Sequence, residues 1–199
     1  KPSGIYSDIS ITSFYGSHVS NGAGNGGMLV TDSKEVYEKA RLLRSWGRSS
    51  SLFKESEAIE NRFNINLDGL QYDAKFVFEE IGYQMEPSEI SAAFALVQFK
   101  KLASNIKARQ ENFNLHHQFL SQHDKFFELP VQNPNSETAW LAFPMIVKEN
   151  SLFSRTDLQI FLEKRNIQTR VVFTGNILRQ PGYKNINCIG DANDFINAD

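Results

Sequence analysis

The sequence runs to 199 residues, 41% hydrophobic, 22% charged and 12% aromatic, with 21 Lys and Arg against 23 Asp and Glu. That balance excludes a disordered tract and a basic nucleic-acid module, and 16 Phe residues supply the bulk of a core. A single cysteine, Cys188, excludes an internal disulfide framework and any multi-thiolate metal or iron–sulfur site built by this chain alone.

In chain order, Asp8 to Tyr15 alternates Ile9, Ile11 and Ser13 against polar neighbours, the period-two pattern of a partly buried strand. A small-residue loop, Ser20 to Gly27, leads to a second apolar run, Met28-Leu29-Val30, so two strands joined by a glycine-rich loop are expected. Asp32 with Glu35 forms a capping-box-like start for a helix whose Val36, Ala40 and Leu43 share one face, ending near Trp46-Gly47. From Arg48 to about Tyr83 the signals weaken, and an irregular excursion with short elements is expected, including the mixed run Lys75 to Phe78. Pro87-Ser88-Glu89 opens a long helix carrying Ile90, Phe94, Val97, Leu102 and Ile106, reaching about Ser121. Beyond it a strand is expected at Trp140 to Val147, a helix at Ser154 to Lys164 capped by Ser154, and a strand at Ile167 to Phe173. Strand, helix and strand suggest a small α/β layer. The domain division is placed at 1–86 and 87–199.

No apolar run approaches the roughly 18 residues of a membrane span. The opening Lys1-Pro2-Ser3-Gly4-Ile5 lacks the basic-then-apolar build of a signal peptide. A cytoplasmic setting, with neither nucleic acid nor membrane as partner, is the expectation. The chain does not open on Met and is expected to be a piece of something longer.

Two features carry chemistry on their own. Glycines in the 20–27 loop let backbone amides approach an anion, although neither G-x-G-x-x-G nor G-x-x-x-x-G-K-[ST] is matched, and a tight hairpin connection is the plainer reading. His18, just before those glycines, is by itself either a surface histidine or an acid–base group. His116, His117 and His123 have no carboxylate or thiol at ligand spacing, so no metal site is expected and they read as a solvated face.

The string Ser13-Phe14-Tyr15-Gly16-Ser17-His18, followed by Gly24-Asn25-Gly26-Gly27-Met28-Leu29-Val30, resembles the internal-lysine segment of the DegT/DnrJ/EryC1/StrS sugar aminotransferase family, S-F-x-x-x-K and then G-E-G-G. Arg44-Ser45-Trp46-Gly47-Arg48, Gly82-Tyr83-Gln84-Met85 and Thr169-Arg170-Val171-Val172-Phe173 resemble later blocks of that family, in order. The resemblance implies an α/β, aspartate-aminotransferase-like fold of type I pyridoxal-phosphate enzymes, here the end of the large domain plus a small C-terminal domain. His18 stands at the lysine position, which points to the branch of 3-dehydratases acting on nucleotide-linked 4-keto-6-deoxyhexoses in deoxysugar and lipopolysaccharide biosynthesis. Imidazole cannot form the imine that tethers pyridoxal phosphate, yet it still removes a proton near neutral pH.

The resemblance further implies that His18 takes the C4′ proton of pyridoxamine phosphate joined to the sugar, and that the C3 hydroxyl then leaves. Ser13 is implied to bind the cofactor phosphate, or else to be a strand-end hydroxyl satisfying the backbone. Tyr15 is implied to position the departing hydroxyl, or simply to pack. Gln84 stands where the family has an amide reaching the neighbouring subunit's cofactor phosphate, which implies a homodimer with a shared active site. Arg170 and Phe173 lie in the substrate-facing block, where Arg170 suits a diphosphate; their alternatives are a surface salt bridge and core packing. Asn25 replaces the family glutamate of G-E-G-G. Related iron–sulfur dehydratases carry cysteines after R-x-W-G-R, where this chain reads Arg48-Ser49-Ser50-Ser51-Leu52. A cluster-free enzyme recharged by glutamate is therefore expected. The pyridine-nitrogen carboxylate is expected upstream, so the 199 residues alone are expected to be inactive. The alternatives are a nucleotide-sugar aminotransferase and a non-catalytic sugar-nucleotide-binding relative.

Overall fold

The structure, a computed structural model, describes residues 3–198; Lys1, Pro2 and Asp199 lie outside the described residues. It divides into two units between Ala108 and Arg109, within the longest helix. The secondary structure is mixed: four α-helices, six short strands in three two-stranded antiparallel sheets, and 3-10 turns among the described residues. No helix among the described residues is long and apolar enough to cross a membrane.

In the first unit, β1 (Ile9–Ser13) pairs with β2 (Gly27–Thr31) in the register Ile9 to Thr31 and Ser13 to Gly27. The neck of the intervening loop is fixed by Phe14, whose N–H donates to Gly26 O at 2.9 Å while its carbonyl accepts from Gly22 N at 2.8 Å. Helix α1 (Lys34–Arg44) follows, but its cap is Ser33 rather than Asp32: the Ser33 hydroxyl accepts from Val36 N at 3.3 Å. The most buried α1 side chain is Leu42, 8% exposed. The helix stops as Gly47 N donates to Leu42 O at 2.7 Å, with Trp46 and Gly47 at φ of 58° and 82°.

Residues 77–86 then run back along that helix end. Trp46 N donates to Tyr83 O at 2.9 Å, Tyr83 N to Leu43 O at 2.7 Å, Met85 N to Arg44 O at 2.9 Å and Glu79 N to Gly47 O at 2.8 Å. Arg44 pairs with Glu86 at 3.2 Å, and Lys39 with Glu80. The excursion between them holds a one-turn helix α2 (Ile59–Arg62) and a hairpin of β3 (Ile65–Leu67) with β4 (Leu70–Tyr72). Its turn is Asp68-Gly69 with both φ positive, the geometry of a tight two-residue hairpin. Arg62 grips Asp73 with two nitrogens, holding the Asp73 carboxyl below the usual carboxylate range.

Helix α3 (Glu89–Leu120) starts where Pro87-Ser88 indicates, with Ser88 Oγ accepting from Ser91 N at 3.1 Å. Its expected apolar face is open: Ile90 is 81% exposed, and Phe94 and Val97 are exposed as well. The helix's buried residue is Phe113, 6% exposed, in the second unit. Phe113 stacks on Trp140 with centroids 3.9 Å apart, and Arg109 Nη1 holds the carbonyls of Trp140 and Leu141 at 3.2 and 3.0 Å. Burying that ring contributes roughly 1.5–3 kcal/mol, and the aromatic pair about 1 kcal/mol more.

The two expected strands of this unit are corrected. Of Trp140 to Val147 only β6 (Ile146–Val147) is extended and paired, with β5 (Phe127–Glu128), because Trp140 has φ 38° and Pro144 offers no donor. Ile167 to Phe173 forms no strand: Phe173 and Gly175 turn to φ 56° and 67°, and the segment pairs with no strand among the described residues. The expected strand–helix–strand layer is therefore absent. Helix α4 (Arg155–Glu163) agrees with expectation, with Ser154 and Asp157 exchanging bonds in a capping box. Asn176, buried, ties the closing segment through Ala192 O at 2.8 Å and Phe195 O at 3.3 Å.

Candidate functional site

The β1–β2 hairpin gathers Ser13, Tyr15 and His18. Ser13 ends β1, and its exposed hydroxyl oxygen accepts from Tyr15 N at 3.2 Å, so the backbone-satisfying role of a strand-end hydroxyl is present. The Ser13 hydroxyl proton is left for an outside acceptor such as a phosphate oxygen. The chain turns at His18, whose N–H donates to Tyr15 O at 3.0 Å. That turn returns the half-buried imidazole to the strand end, with Nδ1 3.2 Å from Ser13 O. The Tyr15 ring meets His18 edge-on, centroids 5.9 Å apart at 73°, with its phenol exposed. Ala23, Gly24 and Gly26 take positive φ, which lets the loop fold back on Phe14. This hairpin fits part of what pyridoxal phosphate requires: a hydroxyl donor and an imidazole beside it, without a lysine to tether the cofactor.

The remaining candidates lie elsewhere. Gln84 is exposed in the strap along α1, where it forms an isolated β-bridge with Ser45. The blocks Arg44–Arg48 and Gly82–Met85, separate in sequence, are thus one local structure. Arg170 and Phe173 belong to the second unit. Arg170 is exposed and donates to Thr169 O at 2.6 Å; Phe173 is 89% exposed and so takes no part in the core. Glu163, at the end of α4, anchors that loop by accepting from Thr169 N at 2.6 Å and Thr169 Oγ1 at 2.8 Å. These two bonds, backbone first, with the Arg170 charge behind them, hold the Glu163 carboxyl below the usual range.

A carboxyl depressed in the folded state contributes stability above its unfolded pKa and loses it as pH falls through the folded one. Acidification below the carboxylate range is therefore expected to release the 169–175 loop. Amide exchange at Thr169 should accelerate there, and Glu163→Gln should flatten that pH dependence; an exchange rate independent of Glu163 would contradict this anchor.

One grouping had no signal in the sequence. A cavity of about 330 Å³ is lined by Arg41, Arg44, Arg48, Lys75, Glu57 and Glu86, among others; Arg44 pairs with Glu86 and Lys75 with Glu57, so its net positive charge comes from Arg41 and Arg48. Arg48 Nε and Ser51 Oγ are buried there without a hydrogen-bond partner. Only the folding of residues 49–52 and 74–77 onto α1 brings these groups together. The three later histidines sit against aromatic rings: His117 near Phe113, His116 near Phe143 and His123 near Phe119, at 5.3–5.8 Å. Among the described residues no group of three or more His, Cys, Asp or Glu is placed to hold a metal ion.

Comparison with known proteins adds the following. The model of the DegT/DnrJ/EryC1/StrS aminotransferase family matches residues 1–199. The dTDP-4-dehydro-2,6-dideoxy-D-glucose 3-dehydratase of Saccharopolyspora spinosa is 33% identical over 189 residues, 92% of this chain and 40% of that protein. The lipopolysaccharide biosynthesis protein RfbH of Salmonella typhimurium is 32% identical over 186 residues, 92% of this chain and 42% of that protein. The solved Escherichia coli GDP-4-keto-6-deoxy-D-mannose-3-dehydratase with bound hydrated PLP is similar at a TM-score of 0.74 and 26% identity, over 92% of this chain and 44% of that one. The chain thus spans less than half the length of the proteins it matches.

Proposed function

This chain belongs to the DegT/DnrJ/EryC1/StrS aminotransferase family of pyridoxal-phosphate enzymes, with their type I fold, and from that premise we propose that it is part of a 3-dehydratase of a nucleotide-linked 4-keto-6-deoxyhexose. The observation that carries the reading is His18 folded back beside Ser13 and Tyr15, in the segment whose resemblance to the family sets it at the lysine position.

When bound, pyridoxamine phosphate joined to the sugar's C4 would supply an acidic C4′ proton and the electron pair that expels the C3 hydroxyl. The chain's own residues do the rest. The Ser13 hydroxyl donates to a phosphate oxygen. His18 takes the C4′ proton as general base, and the same imidazole returns it as general acid to the departing C3 hydroxyl, which leaves as water, steered by the Tyr15 phenol. Arg170 pairs with the diphosphate of the nucleotide. Phe173, exposed on the loop that Glu163 anchors, offers an apolar face to the sugar. Gln84 serves the cofactor phosphate of a second copy, in a homodimer with shared sites. Glutamate is the amino donor, no iron–sulfur cluster takes part, and the setting is cytoplasmic. Residues beyond these 199 supply the partner of the pyridine nitrogen, so the chain alone is expected to be inactive.

Cofactor retention tests this. In the full-length protein, borohydride reduction followed by denaturation is expected to leave pyridoxal phosphate unattached in the wild type and attached to the chain in His18→Lys. Covalent attachment in the wild type would overturn the reading in favour of a lysine-bearing aminotransferase. A wild type and a His18→Lys variant that both fail to take up the cofactor would favour the non-catalytic relative.

A further inference from the structure

We propose that the main-chain carbonyl of Ser13 shifts neutral His18 toward its Nδ1–H tautomer, which places the basic lone pair on Nε2. The inference deepens the reading of His18 as the base, and rests on it, by naming the nitrogen that acts.

The geometry starts from the neck of the loop. Phe14 is bonded on both sides, to Gly26 O at 2.9 Å and from Gly22 N at 2.8 Å, so the strand end at Ser13 is held still. The turn closed by His18 N on Tyr15 O at 3.0 Å brings the side chain back over that end, and Nδ1 comes to 3.2 Å from Ser13 O. A carbonyl oxygen only accepts, so Nδ1 must carry a proton to make this contact. A neutral imidazole has one N–H and one lone pair, which leaves the lone pair on Nε2. Rotating the ring by half a turn would set a carbon against the carbonyl and lose the bond. The Tyr15 ring lies beside the imidazole, centroids 5.9 Å apart with the planes at 73°.

Histidine in water favours the opposite tautomer, with the proton on Nε2. A base that must first move its proton from Nε2 to Nδ1 spends part of its time in the wrong form. One net hydrogen bond to Nδ1–H shifts the ratio toward the useful form by about fivefold. Ser13 then has two tasks from one position: its hydroxyl faces an anion and its carbonyl orients the base. A side chain at position 13 could be exchanged with loss of the first task alone, because the second belongs to the backbone.

The test reads the tautomer directly. The full-length protein, labelled with 15N-histidine and held above the imidazole titration, is examined by long-range proton–nitrogen correlation, with His18 assigned by the signals lost in His18→Gln. The expected pattern is an Nδ1 shifted toward the pyrrole type and an Nε2 shifted toward the pyridine type relative to free histidine, unchanged in Ser13→Ala. A pyrrole-type Nε2, or the averaged shifts of free histidine, would overturn the inference. The spectrum needs neither cofactor nor substrate. A dehydratase with the wrong tautomer would therefore sink only this inference, and the expected tautomer in a protein that forms no 3-deoxy sugar would sink only the function.

Discussion

His18→Gln in the full-length protein is expected to lower sugar dehydration about 10²–10⁴-fold, the usual range for removing a general base, with little change in melting temperature. That loss corresponds to about 2.7–5.4 kcal/mol in the barrier. Glutamine is polar, of similar reach, and can still donate to Ser13 O, so the loop should keep its shape. It has no lone pair that titrates near neutrality, so the proton has nowhere to go. Cofactor binding should persist, because the Ser13 hydroxyl is untouched. A variant that keeps its turnover within threefold would remove His18 from the role of base. A variant that loses turnover together with its melting transition would show that His18 acts on the fold.

Gly47→Ala is expected to be strongly destabilising. Gly47 has φ 82°, and a Cβ built there would lie 1.8 Å from Glu80 O and 2.6 Å from Glu80 C. Neither atom can move away cheaply, since Glu79 N is bonded to Gly47 O at 2.8 Å and Trp46 and Tyr83 bond on either side. The loss should reach at least about 4 kcal/mol, a size otherwise seen for cavities or buried unpaired charges. Gly69→Ala is the control: its φ is 88°, but no atom lies within 4 Å of the added methyl. There only the left-handed backbone is strained, at a cost of about 1–2 kcal/mol. Denaturant melts of the two variants should separate by several-fold in lost stability; equal losses would contradict the clash.

Gly47 also explains how a family-like block can be structural. Arg44 to Arg48 and Gly82 to Met85 are legible in sequence as motifs, yet nothing in either string says that they hydrogen-bond to each other. That contact spans some 40 residues and is set by the path of the chain between them. The same holds for the cation-lined cavity, whose members are scattered from Arg41 to Glu86.

Local signals fared differently. The glycine loop between β1 and β2, the Pro87-Ser88 helix start and the Ser154 cap are written in adjacent residues and formed as expected. Asp68-Gly69 was equally readable as a hairpin turn, though the weak periodicity around it obscured the two three-residue strands. Valines at 171 and 172 suggested a strand, but a strand needs a partner, and this segment, which ends in the turn at Phe173, has none among the described residues. Phe113 gave no warning of its burial because α3 is apolar on several sides, so periodicity could not choose a face. At the hairpin, the identity of His18 was plain in the string, while its approach to Ser13 O required the fold.

The product formed by the full-length protein tests the central claim most directly. Supplied with pyridoxal phosphate, glutamate and a nucleotide-linked 4-keto-6-deoxyhexose, it is expected to yield a sugar that has lost its C3 hydroxyl and kept its C4 ketone, seen by mass and by the new C3 methylene in the proton spectrum. A 4-amino sugar with the C3 hydroxyl intact would contradict the account.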